Sequence, residues 1–154
     1  MFAKMKPTAF SALLCLLLSA GCGPPASSPF VATFNPVVTL SRIGTGAGVS
    51  YSNDSAGALS SGNLLRGTQV QNHWTFGFAG SHAQLTNQLD ALRAEVERQL
   101  SASGATISGR GTWSGDFSGF SFKYASGGKI GFFRASGVSL ESGRQALEVL
   151  VYER

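Results

Sequence analysis

Residues 81–103 read SHAQLTNQLDALRAEVERQLSAS, and the spacing of their apolar side chains decides the fold. Leu85, Leu89, Leu92, Val96 and Leu100 recur at intervals of 4, 3, 4 and 4, which lays them on one stripe of an α-helix. Ser81, with Gln84 three residues later, has the pattern of a capping box, and Gly104 suits the left-handed conformation that ends a helix. Asp90, Arg93, Glu95, Glu97 and Arg98 lie off the stripe and read as a solvated face with weak ion pairs. A single amphipathic helix cannot bury its stripe alone, so its flanks must supply a second layer.

The flanks alternate with period two. Trp74, Phe76 and Phe78 alternate with His73, Thr75 and Gly77, placing the aromatics on one face of a strand at 73–79. Leu64 to Val70 reads as another strand. Beyond the helix, Ala105 to Arg110, Phe120 to Tyr124, Lys129 to Leu140 and Gln145 to Tyr152 read as strands, with turns at 125–128 and 141–144. Short loops between neighbours imply antiparallel pairing. The expected fold class is α+β: an antiparallel sheet of about five or six strands with one amphipathic helix, about 81–103, packed on one face. Pro36 to Ile43 is rich in β-branched residues and reads as a first strand. Residues 44–63 are Gly/Ser-rich, with a short edge strand at Val49-Ser50-Tyr51.

Composition agrees with strands and turns. Only 13% of residues are charged, and Gly and Ser are abundant. The formal charge is +4, from 12 basic and 8 acidic side chains. The bases are scattered and form no run, which argues against nucleic acid as a partner.

The amino terminus carries a different signal. Lys4 and Lys6 precede an apolar run from Ala9 to Leu18, and Ser19, Ala20 and Gly21 lead into Cys22. An apolar stretch of about 10 residues is too short for a permanent span, which takes roughly 20. A cationic start, a short apolar core and small residues before a cut site form a removable signal peptide. The segment Leu18-Ser19-Ala20-Gly21-Cys22 resembles the lipobox of bacterial lipoproteins, with Ser19 standing where that family usually has an aliphatic residue. The resemblance implies cleavage at Gly21–Cys22 and acylation of Cys22, hence a lipid-anchored protein of the bacterial cell envelope. Gly23 in place of Asp implies the outer membrane by the rule of enteric bacteria. Two or three acyl chains make a stable anchor where one does not. Three segments follow: 1–21 a lipoprotein signal peptide, 22–35 the lipidated cysteine and a Pro/Ser-rich tether, and 36–154 a single α+β domain. Removing Cys15 with the signal leaves Cys22 as the lone cysteine.

Motifs that would carry catalysis are weak. Gly44-Thr45-Gly46-Ala47-Gly48 has neither dinucleotide nor Walker spacing and no helix pattern after it. Ser126-Gly127-Gly128-Lys129 matches the Ser-x-x-Lys spacing of penicillin-recognising enzymes but falls in a turn, not at a helix start. His73 and His82 are the only histidines, and no spacing supplies a third metal ligand. No pair of carboxylates is placed by the pattern for acid–base work. The best stretch for ligand contact is the Gly/aromatic segment 109–120, with Trp113, Asp116 and Phe117, although the plainer reading is that its aromatics cover a core edge. No cofactor is expected. A non-catalytic binding or interaction module is favoured over an enzyme, with another envelope protein or peptidoglycan as partner. The alternatives are an envelope hydrolase without a recognisable motif and an inhibitor or immunity-type lipoprotein.

Overall fold

The computed structural model of the chain describes residues 27–44, 50–53, 70–115, 118–139 and 144–154. Cys22, Asp116, Phe117, the expected strand at 64–69, positions 45–48 of the glycine motif and the turn at 141–143 lie outside those residues.

Six strands form one sheet: β1 (Ser50–Asn53), β2 (Val70–Ala79), β3 (Thr106–Trp113), β4 (Gly119–Ser126), β5 (Lys129–Ser139) and β6 (Gln145–Glu153). Their order is β1-β2-β6-β5-β4-β3, and every neighbouring pair is antiparallel. The long helix, α3 (His82–Ala102), packs on β3, β4 and β5. The α+β class read from the spacing is therefore the class of the fold.

The register explains why one face is the core. Trp74 and Phe76 stand opposite Val149 and Leu147, and Ala135 and Phe133 stand opposite Phe120 and Phe122. These side chains meet the buried α3 stripe of Leu85, Leu89, Leu92, Val96 and Leu100. Both ends of α3 are closed as its sequence implies. The Gln84 amide donates to Ser81 Oγ (3.2 Å), and the Ser81 amide donates to Gln84 Oε1 (2.7 Å). At the other end Gly104 has φ +76°, its amide donates to Ser101 O (3.1 Å), and the Ala105 amide donates to Leu100 O (3.0 Å). That pair of bonds is a Schellman motif.

The β4–β5 connection is a two-residue turn in which Gly127 and Gly128 both have positive φ, while Ser126 pairs with Lys129. Ser126 and Lys129 thus face each other across a hairpin rather than along a helix.

Two expectations are corrected. Residues 36–43 form not a strand but a helix, α2 (Pro36–Ile43). Asn35 caps it, its Oδ1 accepting from the amides of Val37 (3.0 Å) and Val38 (3.2 Å), and Pro36 occupies the first turn. Pro36, Thr39, Leu40 and Ile43 follow helical spacing, and the first three are buried. Burial of that stripe outweighs the weak strand preference of the β-branched residues.

The second correction concerns the tether. Residues 28–35 belong to the domain. Ser28 caps a short helix, α1 (Pro29–Thr33), which sinks Phe30 and Phe34 into the core beside Tyr124, Phe133 and Trp74. Phe30 is 1% exposed. The described residues therefore hold two short helices beyond the one expected.

Candidate functional site

A cleft of about 280 Å³ opens where the first half of α3 passes the ends of β3 and β4. That is just under the usual range for small-molecule sites, about 300–1,000 Å³. Its walls include Thr86, Asp90 and Arg93 from α3, Thr112 and Trp113 from β3, and Ser118 before β4. Trp113 is half-buried and held from two sides. A Cβ on Gly119 would collide with its indole, so only glycine lets the ring lie there. The Arg134 guanidinium sits 5.2 Å from the ring centroid, a cation–π contact. Thr86 Oγ1 and Ser118 Oγ are 3.4 Å apart. Arg93 and Asp90 pair at 3.5 Å, both largely in solvent. The cleft offers an apolar floor of Leu89 and Phe120 beside hydroxyl groups and one ion pair, while the Trp113 indole lies over Gly119 on the sheet face that carries Arg134. Of the three residues singled out in 109–120, Trp113 borders this cleft with its indole on the far face of the sheet, and Asp116 and Phe117 lie outside the described residues.

The sheet face opposite the helices holds a second cluster. His73 Nε2 lies 3.0 Å from Glu148 Oε1, with side chains 20% and 9% exposed. Glu148 stands between Thr75 and Ser136 in register, and Leu150 stands between His73 and Arg134. The Oγ of Ser136, the OH of Tyr152 and the Nε of Arg134 are buried without a hydrogen-bond partner. Burial raises the Tyr152 phenol above its ordinary pKa, and the Arg134 charge partly offsets that. An imidazole oriented by a carboxylate can serve as a general base. Ser136 does not complete a relay with this pair, because it stands across from Glu148 and its Oγ bonds to neither partner. His82 is exposed at the start of α3. Sequence reasoning passed over Glu148. The signal was its position inside an otherwise apolar strand, where a charge needs a partner.

A third cluster is structural. Glu153 is buried, and its carboxylate accepts from the Ser28 amide (3.0 Å), the Ser28 hydroxyl and the Tyr124 hydroxyl (3.0 Å). Burial, then the Glu153 charge and its hydrogen bond, push the Tyr124 phenol well above its ordinary pKa.

Among the described residues no three His, Cys, Asp or Glu side chains gather as a metal site would require. No helix among them is long and apolar enough to cross a membrane. Compared with protein-family models, curated proteins and solved structures, the chain matches none.

Proposed function

We propose that this chain is a lipid-anchored protein of the bacterial envelope whose domain acts by binding, with another envelope protein or peptidoglycan as its partner. The observation that carries the reading is Leu18-Ser19-Ala20-Gly21-Cys22 behind a short apolar core. Gly23 directs the anchored protein to the outer membrane by the same resemblance. The cleft at the Trp113 end of the sheet supports binding as the mode of action, since an apolar floor of Leu89 and Phe120 with hydroxyls beside it can hold a small polar ligand without chemistry. Intact-mass measurement of the detergent-extracted protein tests the anchor. The expected result is an N-terminal Cys22 carrying diacylglycerol. Cys22→Ala should lose the acyl mass and leave the membrane fraction, and an unchanged mass and partition would sink the reading.

A second reading, an envelope hydrolase, is favoured by one observation, the His73–Glu148 pair. It requires turnover of an ester, amide or glycan substrate that His73→Asn abolishes while the melting temperature stays near that of the parent. No turnover across such a panel would dispose of it.

A further inference from the structure

Three large apolar side chains among the described residues stand well out of the fold: Val37 (61% exposed), Val38 (45%) and Ile130 (44%). They are remote in sequence, yet the topology collects them at one end of the molecule. Helix α2 runs antiparallel to α3, since Thr39 meets Gln99 (3.1 Å) and Arg42 meets Glu95 (3.7 Å). That direction sets the first turn of α2, with Val37 and Val38, level with the last turn of α3. The chain leaving α3 starts β3 at Thr106, which pairs with Ala125 beside the β4–β5 turn. Ala125 pairs in turn with Ile130.

Two cationic side chains stand at this end. Lys129 precedes Ile130, and Arg154 exchanges backbone hydrogen bonds with Ile130 at 3.1 and 3.0 Å. The neighbouring carboxylate, Glu153, is buried and taken up by Ser28 and Tyr124. The last carboxylate of α3, Glu97, is held by Arg110 (3.1 Å).

The chain from the amino terminus joins the domain at the same end. Ser28 is bound to Glu153, which pairs with Gly131, and Pro29 lies against Gly127 of the β4–β5 turn. Only residues 23–27 separate Cys22 from Ser28. Six residue steps reach at most about 20 Å. The Trp113 end of β4 is the other end: Gly119 and Ser126 are seven residues apart, about 23 Å along a strand.

We propose that Val37, Val38 and Ile130, with Lys129 and Arg154 beside them, form a face that rests on an anionic lipid surface, leaving the Trp113 cleft turned away from the bilayer. The proposal rests on acylation of Cys22. Apolar side chains enter the headgroup boundary while cations meet anionic lipid. Each contact is weak, and a short tether makes them effective by raising the local concentration of the surface.

Nitroxide depth measurement on the full acylated protein tests this. Cys15 leaves with the signal and Cys22 is acylated, so one introduced cysteine is the only free thiol. Ile130→Cys and Ser114→Cys are spin-labelled in vesicles of phosphatidylethanolamine and phosphatidylglycerol. The label at 130 should be several-fold more open to oxygen relative to a water-soluble nickel chelate than the label at 114. Replacing phosphatidylglycerol with phosphatidylcholine should shrink that difference at least twofold, and no change would overturn the role given to Lys129 and Arg154. An intact mass with acylation, together with labels at 130 and 114 equally open to chelate, would overturn the face alone. An intact mass without acylation would overturn both the face and the anchor.

Discussion

Phe30→Ala decides whether residues 28–35 are fold or tether. Phe30 is 1% exposed, and its ring meets Phe34 at 5.2 Å, Tyr124 at 5.2 Å and Phe133 at 6.3 Å between centroids. Truncating such a ring removes its transfer free energy, leaves a cavity and forfeits edge-to-face contacts, for a total of about 3–5 kcal/mol. Against a domain stability of about 5–15 kcal/mol, that is a large fraction. The assay is urea unfolding of unacylated Cys22→Ser protein followed by circular dichroism. With a slope of about 2 kcal/mol per molar urea, the midpoint should fall by about 2 M. Val37→Ala, at an exposed position of α2, is the control and should stay within about 0.5 kcal/mol of the parent. Phe30→Leu keeps much of the volume and should lie between the two, which keeps the test informative if the alanine variant is unfolded at zero urea. A tether predicts no such grading. If Phe30→Ala moved the midpoint no more than Val37→Ala, the N-terminal helix would not be part of the cooperative fold, and the packing argument would fail.

Three further outcomes follow from the same geometry. Glu153→Gln puts an amide NH₂ among the donors of Ser28 and Tyr124 and should cost about 1–3 kcal/mol, read as a lower urea midpoint; an unchanged midpoint would mean that the carboxylate is not the acceptor of these bonds. Gly131→Ala would drive a Cβ into the Tyr124 ring at Cζ and Cε2, so it should cost about 1–3 kcal/mol by calorimetry, and Tyr124→Phe, which keeps both carbons, should leave most of that cost in place; an unchanged melting temperature would refute the contact. Hydrogen bonds from Arg98, then from Gln99, and the charges of Arg98 and Arg42 hold the Glu95 carboxyl at about 2 against an ordinary 4.5. A depressed carboxyl pKa gives stability that is fully present above pH 4.5 and is lost as pH falls towards 2. The melting temperature of the parent should therefore exceed that of Glu95→Gln near neutrality and converge with it towards pH 2; a constant gap would show that the carboxylate's charge is not what Arg98 reads.

Which elements were legible in the sequence follows from how far each pattern extends. Helix α3 was legible because five apolar points over sixteen residues leave no other period, and both of its caps are written in adjacent residues. β2, β4 and β6 were legible from alternation. Helix α2 was not, because Val37, Val38, Thr39 and Ile43 favour a strand by composition, while the helical spacing of Pro36, Thr39, Leu40 and Ile43 covers only two turns. Helix α1 has five residues, too few for any period, and Phe30 and Phe34 find their partners about a hundred residues away in Tyr124 and Phe133. Trp113 could be singled out because a glycine-rich stretch exposes its aromatics. The His73–Glu148 pair could not, since the two residues are 75 apart and meet only because β6 inserts between β5 and β2.

That insertion also determines how the domain would bear load. Ser28 and Glu153 are 125 residues apart, yet their hydrogen bonds fasten the segment that follows Cys22 to the end of β6. β6 is an interior strand, paired on one side with β2 and on the other with β5. A pull through an anchored Cys22 would therefore reach a strand held by two ladders, not an edge strand held by one. Packing of Phe30 and Phe34 against Tyr124 and Phe133 adds a second attachment two to six residues beyond the first. An edge such as β1 or β3 would peel one bond at a time under the same pull, whereas extracting β6 requires both ladders to yield together. The buried carboxylate at Glu153 is costly unless all its partners stay in place. The fold thus couples the seating of residues 28–34 to the integrity of the sheet.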